Sequence, residues 1–140
     1  MKKILLVEDN PADVVLTRRV FSQANIPADI VVAEDGVEAL NILNGRSGLA
    51  GSDPVLVLMD INMPLKNGKD VLKEIKASGT LRHIPVVMLT TSDSREDIRE
   101  SYENYASGYI VKPSRLGDFL SAVETLKKFW FETVTLSTES

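Results

Sequence analysis

Five short apolar runs, spaced by stretches long enough for helices, constrain this chain more than any other feature. They occupy residues 4–7, 30–33, 55–59, 84–89 and 109–111 and are rich in β-branched side chains. A run without polar alternation suits a strand covered on both faces, and its alternation with helical patterns predicts βαβ units in a parallel sheet. The helical segments carry their own start signals. Asn10 is placed to cap the first, Pro11 fits the first helical position and Asp13 favours the positive helix end, ahead of an apolar side of Val14, Leu16, Val20 and Phe21. A second helix is expected over residues 36–45 through Val37, Leu40 and Leu43, and a third after Gly68 through Val71, Leu72 and Ile75. A fourth begins near Ser94 with Glu96 and Asp97 in its first turn. A fifth runs from Leu116 beyond Phe129, along the stripe Leu116, Phe119, Leu120, Val123, Leu126 and Trp130. A three-layer α/β/α domain follows.

Composition narrows the chemistry. A chain of 140 residues fits one domain with a sizeable core. Its 16 Lys and Arg against 20 Asp and Glu give a net charge of −4 with no basic run, so neither nucleic acid nor an anionic membrane is an expected partner. There is no cysteine, and His83 is the only histidine, which excludes disulfides, thiol chemistry and Cys- or His-pair metal sites. His83 itself reads as a solvated loop residue. Carboxylates, hydroxyls and lysine remain. The apolar run at residues 4–7 stops at Glu8, far short of a signal sequence or a membrane span, so the cytoplasm is the expected location.

In an open parallel sheet, ligands sit beyond the carboxyl ends of the strands, where the strand order switches. The residues expected there are Glu8 and Asp9 after the first run, Asp60 after the third, Thr90 after the fourth and Lys112 after the fifth. Three crowded carboxylates repel one another unless a cation neutralises them, and a hard divalent ion, Mg²⁺, is the natural candidate. Asp9, Asp60, the Asn62 backbone carbonyl and waters, one held by Glu8, would meet its octahedral demand. A carboxylate in such a setting can attack phosphorus and form an acyl phosphate, with Mg²⁺, Lys112 and the Thr90 hydroxyl receiving the charged oxygens. Asp35 ends the second run at the sheet edge and reads as a helix-approach residue, and Pro64 and Gly68 as shaping the loop after Asp60.

Four blocks, residues 4–10, 57–64, 85–90 and 108–113, resemble the signature blocks of response-regulator receiver domains. The resemblance covers residues 2–128, and all four blocks stand in order. It implies a CheY-like (βα)5 flavodoxin-like sandwich whose five-stranded parallel sheet has the order 2-1-3-4-5. It also implies that Asp60 is the phosphoacceptor, Glu8 and Asp9 the metal acids, Thr90 and Lys112 the contacts of the phosphoryl group, and Tyr109 an aromatic whose rotamer follows activation. Lys112–Pro113 resembles the family's cis-proline joint. Two departures stand out: Thr91 where many relatives carry a smaller residue, which tightens access to the acyl phosphate, and a longer interval from Asp9 to Asp60, taken up by the small-residue loop at 45–54.

The expected organisation is a receiver domain over residues 1–128 and a C-terminal extension over 129–140, with no separate effector domain. The extension, from Phe129, Trp130 and Phe131 onward, resembles the ending of small receivers that pair with phytochrome-type histidine kinases. Phe129 and Phe131 fall off the apolar stripe of the fifth helix and, with the β-branched residues 133–135, suggest a homodimer interface; the alternative is a tail folded back over its own domain. The function expected is phosphorylation-controlled signalling through protein contacts rather than catalysis. An aspartyl-phosphate phosphatase would carry a second acid where Asn62 stands, and a flavin-type phosphate would be repelled by Glu8 and Asp9. A non-phosphorylated scaffold is the remaining alternative.

Overall fold

The structure, a computed structural model, describes residues 2–45, 49 and 53–136. Part of the loop expected at 45–54 and the last four residues of the extension, 137–140, lie outside the described residues. Strands β1 (Lys2–Val7), β2 (Ala28–Ala33), β3 (Leu56–Met59), β4 (Val86–Thr90) and β5 (Gly108–Val111) alternate with helices α1 (Pro11–Gln23), α2 (Gly36–Gly45), α3 (Gly68–Ala77), α4 (Arg95–Glu103) and α5 (Leu116–Lys127). The strands are all parallel in the order β2-β1-β3-β4-β5, with registers Lys2↔Ala28, Ile4↔Leu56, Val57↔Val86 and Val87↔Gly108. The flavodoxin-like fold expected from the sequence is the fold observed.

Side chains along each strand point alternately to the two faces, and this divides the core. Leu5, Val7, Val57, Met59 and Met88 pack with Ala39, Leu43, Val71, Leu72 and Ile75, the face covered by α2 and α3. Ile4, Leu6, Leu56, Leu58, Val87 and Leu89 pack with Val20, Phe21, Phe119, Val123 and Leu126, the face covered by α1 and α5. Every residue of β3 and β4 is buried, which is why these runs show no polar alternation.

Capping follows the sequence. The Asn10 side chain accepts from the N–H groups of Ala12 and Asp13 with Pro11 at the helix start, Asn67 accepts from Asp70, and Ser94 from Asp97. Asp35 accepts from the Glu38 N–H at 2.8 Å and so caps the approach to α2.

Several expectations need correction. Val37 and Leu116 are exposed because each sits in the first turn of its helix, outside the stripe that meets the sheet; Gly36, Ala39 and Ile42 fill α2's inner face beside Leu43. His83 is not simply solvated: it pairs with Asp53 at 2.6 Å. All described peptide bonds are trans, Lys112–Pro113 included, the isomer that X–Pro amides prefer by about 0.5–1 kcal/mol. The regular part of the last helix ends at Lys127 and continues as a π-helical turn, Lys128–Thr133, closed by a bond from the Val134 N–H to the Phe129 carbonyl. The five-residue spacing rotates the chain so that Phe131, as well as Trp130, packs half-buried against the α1/α5 face, followed by Val134 and the buried Leu136. The tail therefore does lie over its own domain, and of its aromatics only Phe129 is exposed.

Candidate functional site

Parallel strands bring all five carboxyl ends to one rim. The ladder continues past the strands there: the Glu8 N–H donates to the Ala33 carbonyl at 3.0 Å, the Asp60 N–H to Val7 at 3.1 Å and the Lys112 N–H to Thr90 at 2.7 Å. These bonds fix the backbones that carry the acids and the lysine. One carboxylate oxygen from each of Glu8, Asp9 and Asp60 lies within 4.8 Å of the others. Glu8 is buried, Asp60 half-buried and Asp9 exposed, so the cluster grades from the interior to water.

Glu8 is the most constrained of the three. Its Oε1 accepts from Lys112 Nζ at 2.5 Å and its Oε2 from the Asn10 N–H at 3.3 Å. Burial pushes its carboxyl up to about 7; the bond to Lys112 pulls the other way and the nearby Asp60 adds to the rise. The Lys112 ammonium also lies 3.6 Å from Asp13 Oδ2, so two acids flank it. Three oxygens from an all-carboxylate donor set at this spacing fit a hard divalent cation and leave no place for a soft one.

Asp60 is held by its own loop. Its Oδ1 accepts from the Ile61 N–H at 2.8 Å. The Ile61 carbonyl in turn accepts from the N–H groups of Met63 at 3.1 Å and Gly68 at 2.9 Å, which folds the loop back on the start of α3. Glycine is required at 68 because a Cβ there would lie 1.9 Å from the Asp60 carbonyl oxygen. Asn62 stands exposed in this loop, next to the acids.

Thr90 is fully buried at the end of β4, and its Oγ1 accepts from the Ser92 N–H at 3.3 Å. Thr91 is exposed beside it. Tyr109 is half-buried, donates its hydroxyl to the Ser92 carbonyl at 2.8 Å, and has its hydroxyl pKa raised by that burial. Glu8, Asp9, Asp60, Asn62, Thr90 and Lys112 are thus placed at one rim, with Tyr109 joined to it through Ser92. Phe129, Trp130 and Phe131 belong elsewhere, on the α5 side of the sheet, where Phe129 and Trp130 meet edge to face with centroids 5.7 Å apart. Three participants were not singled out in the sequence: Ser92, Asp13 as a partner of Lys112, and Lys69, which bonds Asp97. Only the helix-start pattern Ser94 to Asp97 pointed toward any of them.

Fold and rim together define a doubly wound α/β protein with an acidic cluster, a hydroxyl and a lysine gathered at its switch point. The chain belongs to the response regulator receiver domain family, whose family model matches residues 4–124. It is 40% identical over 136 residues to the response regulator Rcp1 of Synechocystis sp. (strain ATCC 27184 / PCC 6803 / Kazusa), covering 96% of this chain and 92% of that one. Among solved structures it is similar to the phosphorylated cyanobacterial phytochrome response regulator RcpA, with a TM-score of 0.88 at 41% identity over 97% of this chain and 98% of that one. It is also similar to the Mn(2+)-bound form of Rcp1, with a TM-score of 0.87 at 39% identity over 97% and 99% of the two chains. The chain is accordingly a receiver domain of two-component signal transduction, with relatives among phytochrome response regulators. No helix among the described residues is long and apolar enough to cross a membrane.

Proposed function

We propose that Asp60 accepts a phosphoryl group from a sensor histidine kinase and that the modified rim biases a protein-interaction surface. The observation that carries this reading is the meeting of three carboxylates within 4.8 Å, flanked by Thr90 and Lys112 on neighbouring strands. An Asp60 oxygen attacks phosphorus, the bond from phosphorus to the donor histidine nitrogen breaks, and the electron pair leaves with that nitrogen. Glu8, Asp9, Asp60 and the Asn62 carbonyl would hold Mg²⁺, which supplies positive charge beside the transferred group. The Ile61 carbonyl, already committed to Met63 and Gly68, leaves Asn62 as the next backbone acceptor in the loop. Lys112 turns from Glu8 toward the phosphoryl oxygens, and the Thr90 hydroxyl donates to one of them. Tyr109 transmits the change through packing. With Asn62 supplying no general acid, hydrolysis of the acyl phosphate is slow and the chain is a signalling protein rather than an enzyme.

Resemblance to Rcp1 and RcpA supports a phytochrome-type kinase as donor, and membership of the receiver family supports the cytoplasm as the location. Phe129, 52% exposed beside a groove of Ile110, Ala122, Thr125 and Leu126, supports a homodimer contact at the end of α5; Trp130 and Phe131 would back that contact from their own domain.

Acetyl phosphate with Mg²⁺ should add one phosphoryl mass to the wild type and none to Asp60→Asn, read by intact-mass spectrometry. Labelling of Asp60→Asn to the wild-type level would end the assignment.

A further inference from the structure

Helix α4 has the weakest apolar hold on the molecule. Ser101 is its one buried residue, whereas α1, α2, α3 and α5 each bury three or four. Polar ties fix it instead. Lys69, the second residue of α3, places its Nζ 2.6 Å from Asp97 Oδ1 and 2.8 Å from Glu100 Oε2, and all three side chains are partly buried. The other oxygen of Asp97 accepts the Ser92 hydroxyl at 2.6 Å. Lys69 and Asp97 hold each other charged: the Lys69 ammonium lowers the Asp97 carboxyl, and Asp97 raises the lysine.

Ser92 is a three-way junction. Its N–H donates to Thr90 Oγ1, its carbonyl accepts from Tyr109 and its hydroxyl is fixed by Asp97. Lys69 also follows Gly68 directly, the residue packed against the Asp60 backbone. One unbroken path thus runs from the Asp60 loop through Lys69, Asp97 and Ser92 to the hydroxyls of Thr90 and Tyr109.

We infer that Lys69 is a positioning residue: by holding Asp97 it fixes Ser92, and through Ser92 it sets the orientation of the Thr90 and Tyr109 hydroxyls. This rests on the reading of Asp60, Thr90 and Tyr109 given above. Lys69, Asp97 and Ser92 touch one another in a single hydrogen-bonded network, so their effects are coupled and removing either charge should release the same junction.

The test compares Lys69→Met, which keeps the aliphatic stem, with Asp97→Asn, their double variant and Lys69→Arg, each as the full chain. Without phosphodonor, the amide resonances of Ser92 and Tyr109 should move in the same direction in both single variants. The double variant should go no further, and Lys69→Arg should return toward wild type because a guanidinium can still reach both acids. With acetyl phosphate and Mg²⁺, the phosphoryl-dependent shift of the α4 amides should fall at least twofold in Lys69→Met. Unmoved Ser92 and Tyr109 resonances in folded Lys69→Met, additive effects in the double variant, or no recovery in Lys69→Arg would each overturn the inference. If Lys69→Met does not fold, Asp97→Asn carries the same comparison from the other side of the pair. A wild type that takes up no phosphoryl mass fails the Asp60 assignment in that arm alone.

Discussion

Replacing Gly68 by alanine should both destabilise the protein and displace its reactive carboxylate. The new Cβ would lie 1.9 Å from the Asp60 carbonyl oxygen, 2.8 Å from the Asp60 carbonyl carbon and 3.0 Å from Ile61 Cα. All three neighbours are backbone, so no rotamer change relieves the contact. Reaching even 3.0 Å from the oxygen requires the start of α3 and the Asp60 loop to part by 1.1 Å, the difference between 3.0 and 1.9. The bond from the Gly68 N–H to the Ile61 carbonyl, 2.9 Å long, spans that gap and must stretch with it. Overpacking costs about 1–3 kcal/mol and a lost hydrogen bond about 1, so about 2–4 kcal/mol is expected. For a chain of this size that lowers Tm by about 10 °C in a thermal melt followed by circular dichroism. A displacement near 1 Å at the reacting group also slows labelling by acetyl phosphate by about 100-fold. A Gly68→Ala protein melting within about 2 °C of wild type and labelled at the same rate would refute the steric argument.

Glu8 gives a pH signature. Its folded pKa of about 7 exceeds the ordinary 4.5, so the associated stability is fully present below 4.5 and is lost as pH rises through 7. Urea unfolding without divalent cation should show stability falling between pH 5 and 8 by on the order of 2–3 kcal/mol, with a flatter profile in Glu8→Gln and in wild type with Mg²⁺; a steeper profile in Glu8→Gln would contradict it. Phe131→Ala should cost about 1–2 kcal/mol by removing half-buried packing, whereas Phe129→Ala should cost less than about 1 kcal/mol while weakening self-association in sedimentation. The reverse order of stabilities would show that the tail is not seated as described. His83→Ala, which breaks a partly exposed pair with Asp53, should change stability by less than about 1 kcal/mol in chemical denaturation.

The sheet was readable because β3 and β4 are buried on both faces, which leaves an unbroken apolar string in the sequence, and the first and fourth helices because Asn10 and Ser94 announce their starts by their own side-chain chemistry, whereas the Asn67 cap of α3 emerged only in the structure. The rim was readable for a topological reason: parallel strands deliver their ends together, so Glu8, Asp60, Thr90 and Lys112 need only follow apolar runs to be neighbours. Tertiary partners were not readable. Lys69 and Asp97 are 28 positions apart and Tyr109 and Ser92 are 17 apart, and nothing in local spacing says which charge or hydroxyl a fold will pair. Phe131 escapes a sequence reading because an α-helical period places it off the core stripe, whereas the wider turn brings it back against the domain.

That wider turn acts as a gear change between the domain and whatever follows it. A helix continued in ordinary register past Lys127 would leave along the α5 axis, with Phe131 rotated away from the core. The five-residue spacing instead bends the exit path inward, so that Val134 and Leu136 close over α1 and α5 like a clasp. Anyone fusing a helical module to this receiver must therefore choose between two headings, one set by the α-helical register and one by the clasp. The linker length that suits one will point the module in the wrong direction for the other.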